Sequence, residues 1–201
     1  MRTLSPGKNI RLFENSLLEK LTYVHPIFPI SLWGPVSLFL FVVSPWNQEM
    51  SWLLAAGLFL LGLFVWTFTE YVLHRFVFHF KPKGILLAFQ ERIVYLFHGI
   101  HHDDPGDERR LLMPPVAAIL LASGFYFLFW LVLGSINVNA FYSGFLVGYL
   151  VYDYIHFATH FVAPKSAWFK ELKRYHMLHH FQTPNARYGV SSKFWDRIFG
   201  T

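Results

Sequence analysis

The sequence contains no cysteine among its 201 residues. This absence excludes disulfide bonds, iron–sulfur clusters ligated by cysteine and a haem iron held by a thiolate. Charged residues are also scarce, at 14% of the chain, whereas 54% of the residues are hydrophobic. A soluble globular protein is therefore disfavoured, and the length is that of a single domain.

The excess of basic over acidic side chains gives a formal net charge of +5. Nucleic-acid binding is one explanation of such a charge, but here the basic residues flank strongly apolar segments. Anionic lipid headgroups explain that arrangement better. We therefore expect a membrane partner and no nucleic acid.

Four apolar runs organise the chain, and each is close to the roughly 20 residues that a helix needs to cross the hydrocarbon core. They cover residues 27–44, 52–73, 116–133 and 140–155. The sequence thus predicts an all-α integral membrane protein with four transmembrane helices, in which residues 27–201 form one membrane domain. Residues 45–48 and 134–139 are predicted to be the turns within each pair of spans.

Three further segments are predicted to lie outside the spans. Residues 1–26 are expected to be a cytoplasmic N-terminal segment with a short interfacial helix. The apolar face of that helix would consist of Leu12, Phe13, Leu17 and Leu18. The segment lacks the apolar core and cleavage site of a signal peptide, so the first span is expected to be an uncleaved anchor. Residues 85–97 and 166–175 mix apolar and charged side chains and are predicted to be interfacial helices.

The basic residues predict the orientation of the spans. All 17 Lys and Arg residues lie in the N-terminal segment, between residues 74 and 114, or after residue 155. The short turns within the paired spans contain none. By the positive-inside rule, both termini and the intervening loop are cytoplasmic. The membrane would be the endoplasmic reticulum in a eukaryote, or the inner (plasma) membrane in a bacterium.

Ten of the 11 histidines form four short groups, and only His25 stands apart. Two groups repeat the spacing i, i+3, i+4, which places three imidazoles on one face of an α-helix. The ten residues are His74, His79, His98, His101, His102, His156, His160, His176, His179 and His180. A single buried histidine is usually a core residue, but packing does not explain ten rings that each need partners for two nitrogens.

This number of imidazoles predicts two metal ions. Neutral imidazole is a good ligand for zinc, copper, iron and nickel. Ten ligands exceed the four of one tetrahedral ion, so two ions with about five ligands each is the simplest arrangement. His74 and His79 are about 140° apart on a regular helix. Either the helix ends between them or they serve different ions. We expect no catalytic residue beyond the metal ligands.

Other metal-site motifs are absent. The pair His156 and His160 lacks the glutamate of H-E-x-x-H, and no glutamate has a histidine three residues later. A facial triad needs only two histidines. The groups therefore predict a histidine-dominated dinuclear site in a helical cap on the cytoplasmic side. Asp153 is a candidate to accept a hydrogen bond from a ligand's outer nitrogen, and Glu70 and Asp196 are weaker candidates for that role.

The histidine pattern resembles that of the fatty acid hydroxylase and sterol desaturase superfamily. More narrowly, the chain is similar to fatty acid 2-hydroxylases, over roughly residues 66–201. The shared motifs are Glu70-Tyr71-x2-His74-Arg75-Phe76-x-Phe78-His79, Leu96-Phe97-His98-Gly99-x-His101-His102, Arg110-Leu111-x2-Pro114-Pro115 and Gly189-Val190-Ser191-Ser192-Lys193-x-Trp195-Asp196-x2-Phe199.

The resemblance implies two iron ions, dioxygen as co-substrate, and hydroxylation beside the carbonyl of a long-chain fatty acyl or ceramide-like membrane lipid. Many members carry a fused cytochrome b5 domain, for which this chain has no room. We therefore expect a separate electron donor, such as cytochrome b5 or ferredoxin with its reductase. Zinc could replace iron in purified protein, because divalent zinc outcompetes iron at nitrogen ligands.

Two alternatives remain open at the level of sequence. A sterol desaturase or hydroxylase, or a carotenoid hydroxylase, would have the same superfamily pattern. A metal-transport or metal-storage membrane protein is a more distant alternative. A transporter would place ionisable ligands near the middle of its spans, whereas these histidines lie at the ends of the predicted spans or beyond them.

Overall fold

The computed structural model describes residues 7–8, 10–47, 50–79 and 87–201, without the side chains of Asn47, Leu87 and Ala88. The described chain is helical and contains no strand, as predicted. Its α-helices are α1 Ser16–Lys20, α2 Phe28–Asn47, α3 Trp52–Val72, α4 Leu87–Val94, α5 Ile100–Asp103, α6 Pro115–Phe161, α7 Ala167–Phe181 and α8 Phe194–Phe199. Two π-helices, π1 Leu73–Phe78 and π2 Tyr95–Gly99, and a 3₁₀ turn at Glu108–Arg110 complete the set.

The chain forms two compact units. The span unit consists of His25–Phe68 and Pro114–Tyr152, and the remaining described residues form the histidine unit. In the described chain, three helical segments are long and apolar enough to cross a membrane: Phe28–Trp46, Trp52–Phe78 and Glu108–Phe161. Large apolar side chains of the span unit are exposed, including Leu53 at 84% and Val132 at 72%. Such a surface fits a hydrocarbon environment.

Helix α6 folds back on itself. As a straight helix its 47 residues would extend about 70 Å, more than twice the thickness of the hydrocarbon core. Gly134 breaks the helix with φ 72° and ψ 173°. The Tyr142 hydroxyl then donates a hydrogen bond to the Ala122 carbonyl at 2.6 Å, although the two residues are 20 apart. Residues 115–133 and 135–161 are therefore antiparallel. The count of four membrane crossings stays a prediction.

The helices of the span unit meet at their backbones. A Cβ atom added to Gly144 would lie 1.9 Å from the Phe59 carbonyl oxygen. The Ser37 hydroxyl donates to the Ser143 carbonyl at 2.9 Å. These contacts join α6 to α3 and α2, and small residues allow such close approach in apolar surroundings.

Both predicted turns are wrong in extent. Helix α2 continues through Pro45 and Trp46 to Asn47, and Gln48 lies outside the described residues. Without water, a helix that keeps its own hydrogen bonds is preferred to an open turn. In the second turn only Gly134 leaves the helical conformation. Glycine suffices there because it adopts a positive φ without a Cβ clash.

The helix in the N-terminal segment of the histidine unit is shorter than predicted. Helix α1 has five residues, and the Asn15 side chain accepts hydrogen bonds from the N–H groups of Leu17 and Leu18 at its start. Leu12 and Phe13 lie outside it, because this cap sets the first turn after them. Buried Arg110 forms ion pairs with Glu19 and Asp107. The pair with Glu19 binds the segment to the chain that follows α5, in which Asp107 also lies.

The two predicted interfacial helices are present with different bounds. Residues 87–94 form α4, and Ile85 and Leu86 lie outside the described residues. The second helix is α7, whose N-terminal Ser166 hydroxyl accepts a hydrogen bond from the Phe169 N–H at 3.2 Å. Helix α7 continues past the predicted end at residue 175 through the second histidine triplet to Phe181.

Candidate metal centre

The ten predicted histidines gather in the histidine unit as two clusters of five. Within each cluster, one ring nitrogen of every residue lies within 4.8 Å of the others. Cluster A consists of His74, His79, His98, His102 and His179, and cluster B of His101, His156, His160, His176 and His180. His25 is exposed and belongs to neither. The division into five and five has the predicted numbers, and the binding of two ions stays a prediction.

The two triplets divide between the clusters. In each triplet the outer histidines, at i and i+4, join one cluster and the middle histidine, at i+3, joins the other. Residue i+4 lies about 40° from residue i on a helix, and residue i+3 lies about 60° to the opposite side. The expectation of one shared face was therefore too coarse, because a triplet presents two adjacent directions. His101 and His179 are the residues that cross over.

The π-helix π1 brings His74 and His79 into the same cluster. The His79 N–H donates a hydrogen bond to the His74 carbonyl at 3.2 Å, five residues back instead of four. Residue i+5 then lies over residue i, as in π-bulges, which often occur at functional sites. Of the two alternatives from the sequence, the first is confirmed, because π1 ends at Phe78 and His79 is its C-cap. The second is wrong, because both residues belong to cluster A.

The Nε2 atoms converge at distances that suit a metal ion. His176 Nε2 lies 2.8 Å from His160 Nε2 and 3.0 Å from His180 Nε2. A ring nitrogen carries either one proton or one lone pair in the ring plane, so it cannot satisfy two such partners. An ion about 2.05 Å from each nitrogen would separate ligands at right angles by about 2.9 Å. The donor set of cluster B therefore fits an ion with more than four ligands.

Backbone carbonyls orient two ligands of cluster A. His74 Nδ1 lies 2.5 Å from the Tyr188 carbonyl oxygen, and His179 Nδ1 lies 2.7 Å from the Ala186 carbonyl oxygen. Each Nδ1 must donate to its carbonyl, so each Nε2 carries the lone pair. His74 Nε2 is buried and has no hydrogen-bond partner among the described residues. A metal ion would satisfy this nitrogen, and the carbonyls would fix the required tautomers.

The loop that supplies these carbonyls has an unusual backbone. Arg187 lies between the two carbonyl residues and has φ 64°, in the left-handed region that costs a non-glycine residue energy. Close by, a Cβ atom on Gly189 would lie 2.0 Å from the Ser192 carbonyl oxygen. The backbone is thus held in a conformation that aims both carbonyls at cluster A. We refer to residues 186–191 as the carbonyl loop.

Two of the predicted outer carboxylates hold the carbonyl loop. Glu70 accepts hydrogen bonds from the N–H groups of Val190 and Ser191 at 2.7 and 2.8 Å and from the Ser191 hydroxyl. Asp196 accepts from the Tyr188 and Gly189 N–H groups at 2.9 and 2.7 Å. Both carboxylates are buried. They support the ligands through the backbone instead of contacting an imidazole, because the loop lies between.

Asp153 is buried in α6, three residues before His156, and its support of a ligand stays a prediction. The sequence did not identify the carbonyl loop as a partner of the ligands. The sequence feature that marks this loop is the motif that begins at Gly189, which supported only the family resemblance. A backbone carbonyl that accepts a hydrogen bond leaves no mark on side-chain identity, so this role could not be found from the sequence.

Five of the clustered histidines outside the membrane-spanning segments are held in the neutral form. Burial, with repulsion from neighbouring imidazoles, lowers the pKa of His98, His101, His176 and His180 well below the ordinary value. Burial also lowers the pKa of His102 to about 3. Neutral imidazoles have free lone pairs, so these ligands are ready for a metal near neutral pH without losing protons.

Comparison with known proteins supports a hydroxylase assignment. The family model described as fatty acid hydroxylase matches residues 59–201. The chain is 35% identical over 191 residues to a dihydroceramide fatty acyl 2-hydroxylase of Arabidopsis thaliana, covering 95% of this chain and 79% of that protein. It is 35% identical over 215 residues to the fatty acid 2-hydroxylase of Homo sapiens, covering 96% of this chain and 56% of that protein.

A ceramide very long chain fatty acid hydroxylase of Saccharomyces cerevisiae is 38% identical over 202 residues, covering 97% of this chain and half of that protein. A solved structure described as full-length scs7p, with only the hydroxylase domain visible, matches with a TM-score of 0.88 at 38% identity. The match covers 94% of this chain and 70% of the solved chain. The described chain is thus similar in fold to that solved chain.

Proposed function

Because the chain belongs to the fatty acid hydroxylase family, we propose that it is a membrane enzyme that hydroxylates the 2-position of a long-chain fatty acyl group. The observation that carries the proposal is the pair of five-histidine clusters in a chain whose relatives are named fatty acid 2-hydroxylases and ceramide hydroxylases. A ceramide-like lipid is the substrate class favoured by the plant and yeast relatives' names.

The ten clustered histidines would hold two iron ions. When bound, redox-active iron supplies the chemistry by which dioxygen oxidises a C–H bond, and zinc has no redox chemistry with which to do so. Nitrogen ligands nevertheless prefer divalent zinc to divalent iron. Zinc in a purified sample would therefore fill the same ligand sets without supporting turnover.

The residues around the clusters would keep the ligands in place during the reaction. The Tyr188 and Ala186 carbonyls hold the rings of His74 and His179. Seven of the ten histidines are buried and the others half-buried. Limited access of water would protect the oxidation from side reactions.

Four membrane crossings with both termini in the cytoplasm are the proposed topology. The antiparallel halves of α6 would provide the third and fourth spans, and all Lys and Arg residues would then lie on one side. The substrate would enter from the lipid phase. Electrons would come from a separate protein, such as cytochrome b5 or ferredoxin with its reductase.

The proposal is tested by expressing the chain in cells that lack 2-hydroxy lipids. Mass spectrometry should detect 2-hydroxy fatty acyl lipids, and their new oxygen should carry the label when ¹⁸O₂ is supplied. His179→Ala should abolish the product while the protein remains in the membrane, and His25→Ala should retain it. Unchanged 2-hydroxy lipids, together with an altered sterol or carotenoid, would move the protein to the alternative substrate class.

A further inference from the structure

A series of packed aromatic rings connects cluster A with an exposed surface. The Tyr188 ring centroid lies 5.6 Å from those of His74 and His79. Tyr71 follows at 6.1 Å from Tyr188, and Phe199 stacks on Tyr71 at 5.2 Å with an interplanar angle of 13°. Trp195 lies 6.2 Å from Phe199. We call Tyr188, Tyr71, Phe199 and Trp195 the ring series.

The ring series begins in the interior and ends at the surface. Tyr71 and Tyr188 are 1% and 6% exposed, whereas Phe199 is 47% exposed. Phe194, which contacts the Trp195 ring at 5.0 Å, is 48% exposed. Neighbouring rings at 5–6 Å are in ordinary packing contact. No gap therefore separates α8 from the imidazoles of cluster A.

The surface around α8 combines a groove, exposed aromatic rings and positive charge. A groove of about 440 Å³ is lined by Trp168, Lys193, Phe194 and Arg197, among other residues that include the acidic Glu171. Trp168 is 62% exposed. We call these four residues and the groove the α8 surface.

Positive charge dominates this part of the chain. Residues 162–201 contain seven Lys or Arg residues and two acidic residues, Glu171 and Asp196. Asp196 is buried, and Glu171 is neutralised by Arg174 at 2.7 Å and by Lys193. Arg197 is exposed and forms no ion pair with the described residues. The α8 surface therefore presents net positive charge to a partner.

We propose that the α8 surface docks an acidic one-electron carrier protein, and that the ring series connects that carrier with cluster A. This inference rests on the proposed function, which requires electrons. Each turnover would convert one C–H bond, one dioxygen molecule, two electrons and two protons into one C–OH group and one water molecule. Two reduced carriers would each deliver one electron and leave oxidised.

The ring series favours a carrier protein over a lipid surface as the occupant. Anionic headgroups would also be attracted by Lys193 and Arg197, and exposed aromatic rings suit a membrane interface. Contact with lipid, however, needs no packed rings leading into cluster A. Electron transfer does need a short and continuous path, because its rate falls steeply with the separation of donor and acceptor.

Binding of a carrier can be measured on the full chain without turnover. The probe is the acidic haem domain of cytochrome b5, added to the protein in nanodiscs of zwitterionic lipid at low salt. Arg197→Glu should weaken binding roughly threefold or more, as expected for reversing an exposed charge, and the difference should shrink at high salt. Lys20→Glu, an exposed charge reversal on α1, is the matched control and should bind as the wild type does.

Equal binding by the wild type and Arg197→Glu would overturn the docking surface. If Arg197→Glu changes only the behaviour of the protein in anionic nanodiscs, the surface contacts lipid and the proposal is also wrong. The assay uses neither lipid substrate nor dioxygen. Its outcome is therefore independent of the test of 2-hydroxylation.

The ring series is tested at Phe199, which is 47% exposed. Phe199→Leu removes the ring, and Phe199→Tyr retains it. Reoxidation of pre-reduced cytochrome by the iron-loaded protein should slow with Phe199→Leu and keep its wild-type rate with Phe199→Tyr, while both bind the cytochrome with wild-type affinity. Equal reoxidation rates in the two variants would show that electron transfer does not use the ring series.

Discussion

At the scale of single residues, the candidate centre depends on groups that never contact a metal. The carbonyl loop aims two backbone oxygens at cluster A, and Arg187 adopts φ 64° between them. Glu70 and Asp196 hold the loop with four hydrogen bonds to backbone N–H groups. The tautomers of His74 and His179 are thereby set by groups outside the cluster.

We predict that Glu70→Gln lowers metal affinity or activity by about 10–100-fold, the range for partners that orient metal ligands. The two backbone N–H groups bind one carboxylate oxygen and the Ser191 hydroxyl binds the other. Glutamine removes the charge that strengthens the first two hydrogen bonds and puts an NH₂ group in place of the acceptor of the third. Metal titration of the purified variant measures the effect. Glu171→Gln, which changes an exposed carboxylate, is the control and should bind metal normally; equal losses in both variants would contradict the assignment.

At the scale of elements, the geometry of helices distributes the ligands. The π-helix π1 aligns residues five apart, and α5 and α7 each direct histidines to both clusters. Neither histidine triplet therefore forms a candidate metal site by itself, because each cluster contains histidines from both triplets.

The crossed arrangement predicts the behaviour of double variants. His101→Ala with His176→Ala affects cluster B alone and should leave one of the two metal ions. His101→Ala with His98→Ala affects both clusters and should reduce the occupancy of both, although both changes fall within one triplet. Metal content per protein, measured by elemental mass spectrometry, distinguishes them. Equal metal content in the two pairs would show that each triplet serves one ion.

The distribution of Lys and Arg predicts the side of the membrane on which the Gly134 reversal lies. Ile136 is 56% exposed just after the reversal, and the chain has no natural cysteine. Cysteine at Asn47 or at Ile136 should therefore react with an impermeant thiol reagent in intact cells. Lys20→Cys, on the opposite side, should react only after lysis. The reverse pattern of labelling would invert the proposed orientation.

At the scale of the whole molecule, the two clusters join distant parts of the chain. Cluster A includes His74 and His179, and cluster B includes His101 and His176, so each bound ion would close long loops. The hydrogen bonds of the membrane helices, in contrast, are internal to each helix. Metal should therefore stabilise the histidine unit more than the helices of the span unit.

We predict that removing the metal with a chelator lowers the stability of the histidine unit by about 3 kcal/mol or more, since ligand at 100 times its dissociation constant contributes about 2.7 kcal/mol. The helical content measured by circular dichroism should remain largely intact before unfolding. Limited proteolysis within residues 87–113 should become faster without metal. The His25→Ala variant should respond as the wild type does, and an unchanged proteolysis rate would argue against metal-linked folding.

The sequence alone determined the helical class, the apolar segments and the ten histidines. Apolar runs and helical spacing are local properties, because a helix closes its hydrogen bonds within a few residues. The same reasoning placed the helix ends poorly, as at Pro45 and residues 135–139, because apolar surroundings extend helices past residues that end them in water.

Only the tertiary structure decided how the histidines are divided and what orients them. His101 and His179 each belong to the cluster that does not contain the rest of their triplet. Which cluster each one joins depends on the direction from which the other helices approach and on small rotations about the helix axis. At His74 the helix changes from hydrogen bonds four residues apart to one five residues apart. No particular residue type marks this change in the sequence. Every residue has a backbone carbonyl, so the sequence does not distinguish the carbonyls of Ala186 and Tyr188 from any other. Their role follows from a fold that brings residues about a hundred positions apart into contact, which no local pattern encodes.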